Sequence, residues 1–324
     1  MTVAQRAMTA REWGLLALLS LLWGGSFFFI GVAVKELPPL TLAALRVGLA
    51  ALILWAIAPL TGARPPRNGK VLAALALLGF GNNALPFALI AWGQTHLPAG
   101  LASILNAATP LFAALIAHRF TAEEKLTRLK IIGTAAGMAG VAWVVGPDMI
   151  WGRGGANAWA EGAVLLAALS YAAAAVFARR VGALGLKPID IATGQTTAAT
   201  ILLVPFALLI DRPWSLPVPS VAVIASVFAI AALCTALAYV VYFRILSGAG
   251  ATNVLLVTLV APATSVILGA LFLREQLLTR QFLGFGLIAI GLAFIDGRLP
   301  RALSGANPIL TPHNSRFPAV KKSR

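Results

Sequence analysis

The sequence predicts an all-α membrane protein of ten transmembrane helices arranged as two inverted five-helix repeats. Three observations lead there: an apolar excess, an uneven distribution of basic residues, and self-similarity between the halves. Of 324 residues, 60% are hydrophobic and 11% charged, with mean hydropathy +0.89. Soluble domains are about half apolar and a quarter charged. The charges here cannot cover a soluble fold of this length, so the solvent for most of the chain is lipid. At about 20 residues per crossing the apolar content suffices for nine or ten helices and leaves no large soluble domain.

The first five apolar runs are Trp13 to Val34, Leu40 to Leu60, Val71 to Trp92, Ala99 to Ala117 and Leu129 to Val145. Ala160 to Ala178, Ile191 to Ile210, Val221 to Phe243, Ala251 to Leu273 and Phe282 to Ile295 follow. The run from Trp13 to Val34 exceeds a signal-peptide core and is followed by Lys35 and Glu36 instead of a small-residue cleavage site, so it reads as a retained span.

Net charge is +15 and pI about 11.4, which raises nucleic acid as a partner until the charges are placed. With the amino terminus inside, 19 Lys and Arg fall in inward segments, five in outward ones, and Arg46 within a span. That split follows the positive-inside rule and predicts both termini in the cytoplasm. Nucleic acid is therefore not expected as a partner, and a nine-span count would spoil the asymmetry. Residues 1–12 form a cytoplasmic segment, and 298–324, rich in Pro and ending in Lys321, Lys322 and Arg324, a basic disordered tail suited to anionic headgroups.

Pro98-Ala99-Gly100 through Pro110-Leu111-Phe112 corresponds to Gly250-Ala251-Thr252 through Pro262-Ala263-Thr264 at an offset of 152. Glu124-Lys125-Leu126, Gly133 and Gly140 correspond to Glu275-Gln276-Leu277, Gly284 and Gly291 at 151. The halves are 13–146 and 160–297, joined by an external linker over 147–159. Five spans per half is an odd number, so the second copy enters the membrane in the opposite sense. Inverted repeats of this kind recur in secondary transporters, where the halves exchange conformations around a midplane site.

Trp23-Gly24-Gly25-Ser26, Arg46, Pro110-Leu111-Phe112 with Glu124-Lys125-Leu126, and Pro262 with Phe272-Leu273-Arg274-Glu275-Gln276-Leu277 form an ordered set. On these residues the chain, over about 13 to 297, resembles the EamA-domain transporters of the drug/metabolite transporter superfamily. The resemblance implies ten helices in two inverted halves, a bacterial inner-membrane location, and export or exchange of small metabolites such as amino acids. The second half departs from the first in carrying Tyr171-Ala172 for Trp23-Gly24, and Gly194 near where Arg46 would repeat.

Proline within a helix leaves the carbonyl four residues earlier without its donor. Pro86, Pro110 and Pro262 thereby free Asn82, Asn106 and Thr258, and such helices mark transporter binding sites. The candidate substrate-binding set is Trp23, Ser26, Arg46, Asn82, Asn83, Asn106, Tyr171, Tyr239 and Thr258, with Cys234 and Thr235 as repeat counterparts of Asn82 and Asn83. Plain packing is the alternative for the prolines and for the aromatic residues. Arg46 lies about two turns into its run, roughly 9 Å, which permits either a cavity position that binds a carboxylate or snorkelling to the headgroups.

All ten carboxylates fall at span ends or in loops, which disfavours a proton or sodium relay through a buried Asp or Glu. Glu124 and Glu275 sit near helix starts, where negative charge suits the dipole. Gly133 and Gly137 are spaced for close helix contact, within the chain or between two copies in a homodimer. His96, His118 and His313 have no acid at triad spacing, the single Cys234 removes thiolate metal sites, and no Walker loop occurs. No catalytic residue, metal or cofactor is expected, and the partners are the lipid bilayer and a small-molecule substrate. A polytopic enzyme acting on lipid is the rival class.

Overall fold

The structure, a computed structural model, describes residues 8–61, 66, 68–120, 127–146, 155–249, 254 and 256–296. Arg64, Arg67, Glu123, Glu124, Lys125, Asp148, Arg153, Ala251, Thr252, His313 and the basic tail lie outside them. The described elements are helical. They are α1 (Ala10–Ala33), α2 (Pro39–Ile57, extended by a 3-10 turn), α3 (Gly69–Gly79), α4 (Leu85–Gly93), α5 (Ala99–Asn106), α6 (Thr109–Phe120) and α7 (Arg128–Val145). In the second half come α8 (Gly155–Gly182), α9 (Pro188–Phe206), α10 (Val221–Phe228), α11 (Ala238–Ala249), α12 (Val257–Phe272) and α13 (Thr279–Asp296). Joined end to end, these give eight helices long and apolar enough to cross a membrane, and α12 and α13 are shorter apolar helices. The chain is a multi-pass membrane protein.

Local chemistry starts the helices. Thr9 and Glu12 form a capping box, the Glu12 amide donating to Thr9 Oγ1 and the Thr9 amide to Glu12 Oε2 at 2.7 Å. Asn68, Thr127 and Ser220 cap α3, α7 and α10 with their side chains. Pro39 and Pro188 open α2 and α9, where a missing amide proton costs nothing.

Lipid supplies no hydrophobic drive between helices, so association depends on close approach of small residues. Gly24 of α1 faces the Ala261 carbonyl and Thr264 of α12. Between α7 and α13, Gly140 faces the Gly284 carbonyl, and Gly133 and Gly291 face each other's carbonyls. The spacing expected to bring helices close therefore works within the chain, joining the last helix of one half to the last of the other. Elsewhere α2 packs on α9, and α4 on α8.

Three stretches carry a π-helical segment where the sequence indicated a plain span, one of them Ala207–Asp211 at the end of α9. Phe80–Ala84 lies between α3 and α4, and Ala229–Leu237 between α10 and α11. Asn82 and Asn83 fall in the former, and Cys234 and Thr235, 152 residues on, in the latter. Ahead of Pro86, the Leu85 amide bonds Phe80 five residues back, so the wider turn absorbs the proline's missing donor. The other two prolines are placed differently from each other. At Pro110 the chain breaks between α5 and α6, and the Thr109 hydroxyl donates to the Asn106 carbonyl at 2.7 Å, so that carbonyl already accepts one hydrogen bond. Pro262 sits inside an unbroken α12.

One carboxylate also departs from expectation. α8 begins at Gly155, five residues before the predicted span, and this places Glu161 in its second turn with 7% exposure.

Candidate functional site

The structure decides between the two placements of Arg46. Its side chain is 7% exposed and points into the protein. The guanidinium lies 3.6 Å above the Phe87 ring centroid, and Nε donates to Thr235 Oγ1 at 3.0 Å. Stacking on an aromatic face suits a planar, weakly hydrated cation. Among the described residues no carboxylate is within ion-pair distance of it. Tyr171, Cys234 and Tyr239 lie within electrostatic range of its charge, and the Tyr171 ring meets Phe87 edge-on at 6.4 Å.

Thr235 can receive Arg46 because its own hydroxyl donates to Ile230, five residues back along the π segment. The first π segment presents its amides to the same region. Asn83 Nδ2 donates to the Tyr239 hydroxyl at 2.9 Å, and Asn82 Nδ2 to the same oxygen at 3.4 Å and to Gln195 Oε1 at 3.1 Å. Asn83 is fully buried and its Oδ1 has no hydrogen-bond partner among the described residues.

Arg46, Asn82, Asn83, Tyr171 and Tyr239 thus converge, on helices from both halves. Trp23 packs on Tyr242, ring centroids 5.7 Å apart, in a cluster with Leu16, Leu19 and Ile245. Ser26 is buried on α1, Asn106 ends α5 with a buried Oδ1 that has no hydrogen-bond partner among the described residues, and Thr258 is half-buried in the first turn of α12. Sequence reasoning missed Gln195. Gly194, the position set against Arg46, packs on Leu75, and its polar neighbour Gln195 reaches Asn82. A buried Gln in an apolar run was the available signal.

Tyr239 also lines a cavity of about 450 Å³, bounded by Ile57, Ile189, Val240 and Phe243, with Thr61, Lys187 and Arg244 toward the helix ends. At the opposite end are three contacts, each joining the two halves. Asp211 Oδ2 accepts from the Thr41 amide and hydroxyl at 2.7 and 2.9 Å. Glu275 accepts from the Ala99 and Gly100 amides at 2.7 and 3.1 Å. Glu36 accepts from the Ser220 amide and hydroxyl, both at 2.7 Å. Each carboxylate binds the start of another helix, where free amides and the dipole favour negative charge. Glu275 therefore serves α5, far away in sequence.

The Ser220 amide foremost, then its hydroxyl, holds the exposed Glu36 carboxyl below the usual carboxylate range. A lowered pKa stabilises the bonded state above the ordinary range, and this is lost as pH falls through the lowered value. Amide exchange at Ser220, corrected for its intrinsic pH dependence, is expected to be slow at neutral pH and to speed up as pH falls below the ordinary carboxylate range. Glu36→Gln should remove that step, and equal protection in the variant at every pH would contradict the contact's role.

The profile of the EamA-like transporter family matches residues 12–146 and again 158–296. The chain is 27% identical over 313 residues, 92% of its length and 94% of the relative's, to the Escherichia coli K12 protein named "Uncharacterized inner membrane transporter YedA". To the E. coli K12 "Probable amino-acid metabolite efflux pump" it is 30% identical over 292 residues, 87% and 94% of the two chains. In fold it is similar to a crystal structure at TM-score 0.63 and 18% identity, covering 91% of this chain and 99% of that one. With both family matches covering its helical body, the chain belongs to the EamA-like transporter family, and it is a membrane transporter and not an enzyme.

Proposed function

We infer that the protein is a secondary carrier of small metabolites such as amino acids, working by alternating access between two inverted five-helix halves, ten crossings in all. Both termini lie in the cytoplasm and the membrane is a bacterial inner membrane, by the placement of basic residues and the names of the relatives. One observation carries this reading. Arg46 is a buried cation without a carboxylate among the described residues, placed where both halves meet. A buried charge is costly unless paired, so a site of this kind favours a solute that brings the counter-charge.

The asymmetry of the two ends supports the mechanism. A cavity lies at the end bearing Lys187 and Arg244, and three carboxylate contacts join the halves at the other. By the basic-residue rule the cavity end is cytoplasmic, which makes this an inward-facing state. Direction of flux follows from the gradient imposed, because a carrier alternating between two faces runs either way.

Purified protein in liposomes loaded with a cell extract should exchange labelled amino acids and small carboxylates at rates at least about tenfold above empty liposomes. Organic cations should not exchange. Flux of cations with no flux of carboxylated solutes would overturn the reading.

A further inference from the structure

We propose that Tyr239 is the inner gate of the carrier: its ring ends the cavity, its hydroxyl is latched by Asn82 and Asn83 of the other half, and passage between the cavity and Arg46 requires that latch to open. This rests on the alternating-access reading above and adds the step that admits or releases a solute on the cytoplasmic side.

Tyr239 belongs to two surroundings at once. Its ring lines the cavity of about 450 Å³ beside Ala192, Val240 and Phe243. Its hydroxyl lies among the buried amides, accepting from Asn83 Nδ2 at 2.9 Å and from Asn82 Nδ2 at 3.4 Å. Arg46, Asn83 and Cys234 are 7%, 0% and 2% exposed, and none of them lines the cavity. Tyr239 is nevertheless within electrostatic range of Arg46. One side chain therefore stands between the cavity and the buried cation.

The latch joins the two halves, so their relative movement works directly on it. Closed is the favoured position, because opening strips the buried Asn83 amide of its printed acceptor, and an unpaired buried donor costs more than the bond itself contributes. Phe243, which also lines the cavity, stacks on the closed ring with centroids 6.4 Å apart. The hinge is at hand as well. Tyr239 is the second residue after the π segment Ala229–Leu237, and a shift of that π/α junction along the chain re-aims the side chains next to it.

Cys234, the single cysteine of the chain, lies behind the gate, five residues before Tyr239 and within electrostatic range of Arg46. It reports opening without a transport assay. Full-length protein in inside-out membrane vesicles, cytoplasmic face outward, is treated with the impermeant thiol reagent 2-sulfonatoethyl methanethiosulfonate, and the rate is read from the intact mass. Cys234 should react slowly in the wild type and at least about tenfold faster in Tyr239→Phe, which keeps the ring and loses the latch. Asn83→Ala, which cuts the latch from the other half, should also react faster. Tyr242→Phe, on a ring that packs on Trp23 and does not line the cavity, should keep the wild-type rate. Right-side-out vesicles should show no acceleration in any variant. Wild-type rates in Tyr239→Phe or in Asn83→Ala would overturn the gate and leave the carrier reading intact, since flux does not enter the measurement. Equal acceleration in Tyr242→Phe would overturn it as well, by showing general loosening of the helix. Acceleration from the outer face alone would remove both the gate and the inward-facing reading.

Discussion

Replacing Arg46 by Gln is expected to lower carboxylate or amino-acid flux by about 100-fold or more while leaving the amount of protein in the membrane unchanged. The magnitude follows from losing one member of a desolvated, charge-assisted contact with the solute, typically 2–5 kcal/mol. Abundance should hold because the guanidinium's described contacts are one hydrogen bond to Thr235 and the face of Phe87. Gln can still bond Thr235, and the change removes a buried charge whose solvation is costly. Arg46→Lys keeps the charge but loses the fork and the stacking, and should recover only a small part of the flux. Counterflow with quantified membrane protein separates these effects. Wild-type flux in Arg46→Gln would detach the residue from the site.

A Leu at Gly140 or Gly284 is expected to destabilise the fold. Each glycine lies against the other's carbonyl across the α7–α13 contact, and Gly133 and Gly291 repeat the arrangement farther along. Even a methyl group would meet backbone there, which cannot rotate aside. Overpacking of this sort costs about 1–3 kcal/mol and can exceed it when backbone must move. The midpoint of thermal unfolding in detergent should fall by about 5 °C or more, with a matching loss of monodisperse protein. Gly286, on the same helix with open space around it, is the control: Gly286→Leu should behave like the wild type. Equal behaviour of Gly284→Leu and Gly286→Leu would show that the contact does not hold α7 to α13.

Much of the scaffold was legible because lipid imposes one rule. Long apolar runs must be helical, and their ends agree with the structure to within a few residues over α1, α2 and α7. Glycine spacing at Gly133 and Gly137, both of which lie against Gly291, was readable for the same reason, since small residues are what membrane helices use to approach. The π segments were harder. Proline flags the first through Pro86, whereas Ala229–Leu237 contains no breaker at all.

At the site, Arg46 was visible as a lone cation in an apolar run, but its direction was not. Depth along a helix does not give azimuth, and azimuth depends on Phe87 and Thr235. Gln195 was missed because the offset between halves drifts by a few residues, so alignment fell on Gly194. Contacts such as Glu275 with Ala99, or Asp211 with Thr41, join residues more than 150 positions apart and exist only once the halves dock.

The most direct test is to tie shut the end joined by the carboxylate contacts. Thr41 and Asp211, bonded at 2.9 Å between their side chains, are replaced by cysteine, with buried Cys234 left in place, and joined by a short bifunctional thiol reagent. Two halves that must part at that end to release a solute should lose flux in proportion to cross-linking and regain it when a cleavable link is reduced. Undiminished flux through fully cross-linked protein would mean that the halves do not alternate about Arg46.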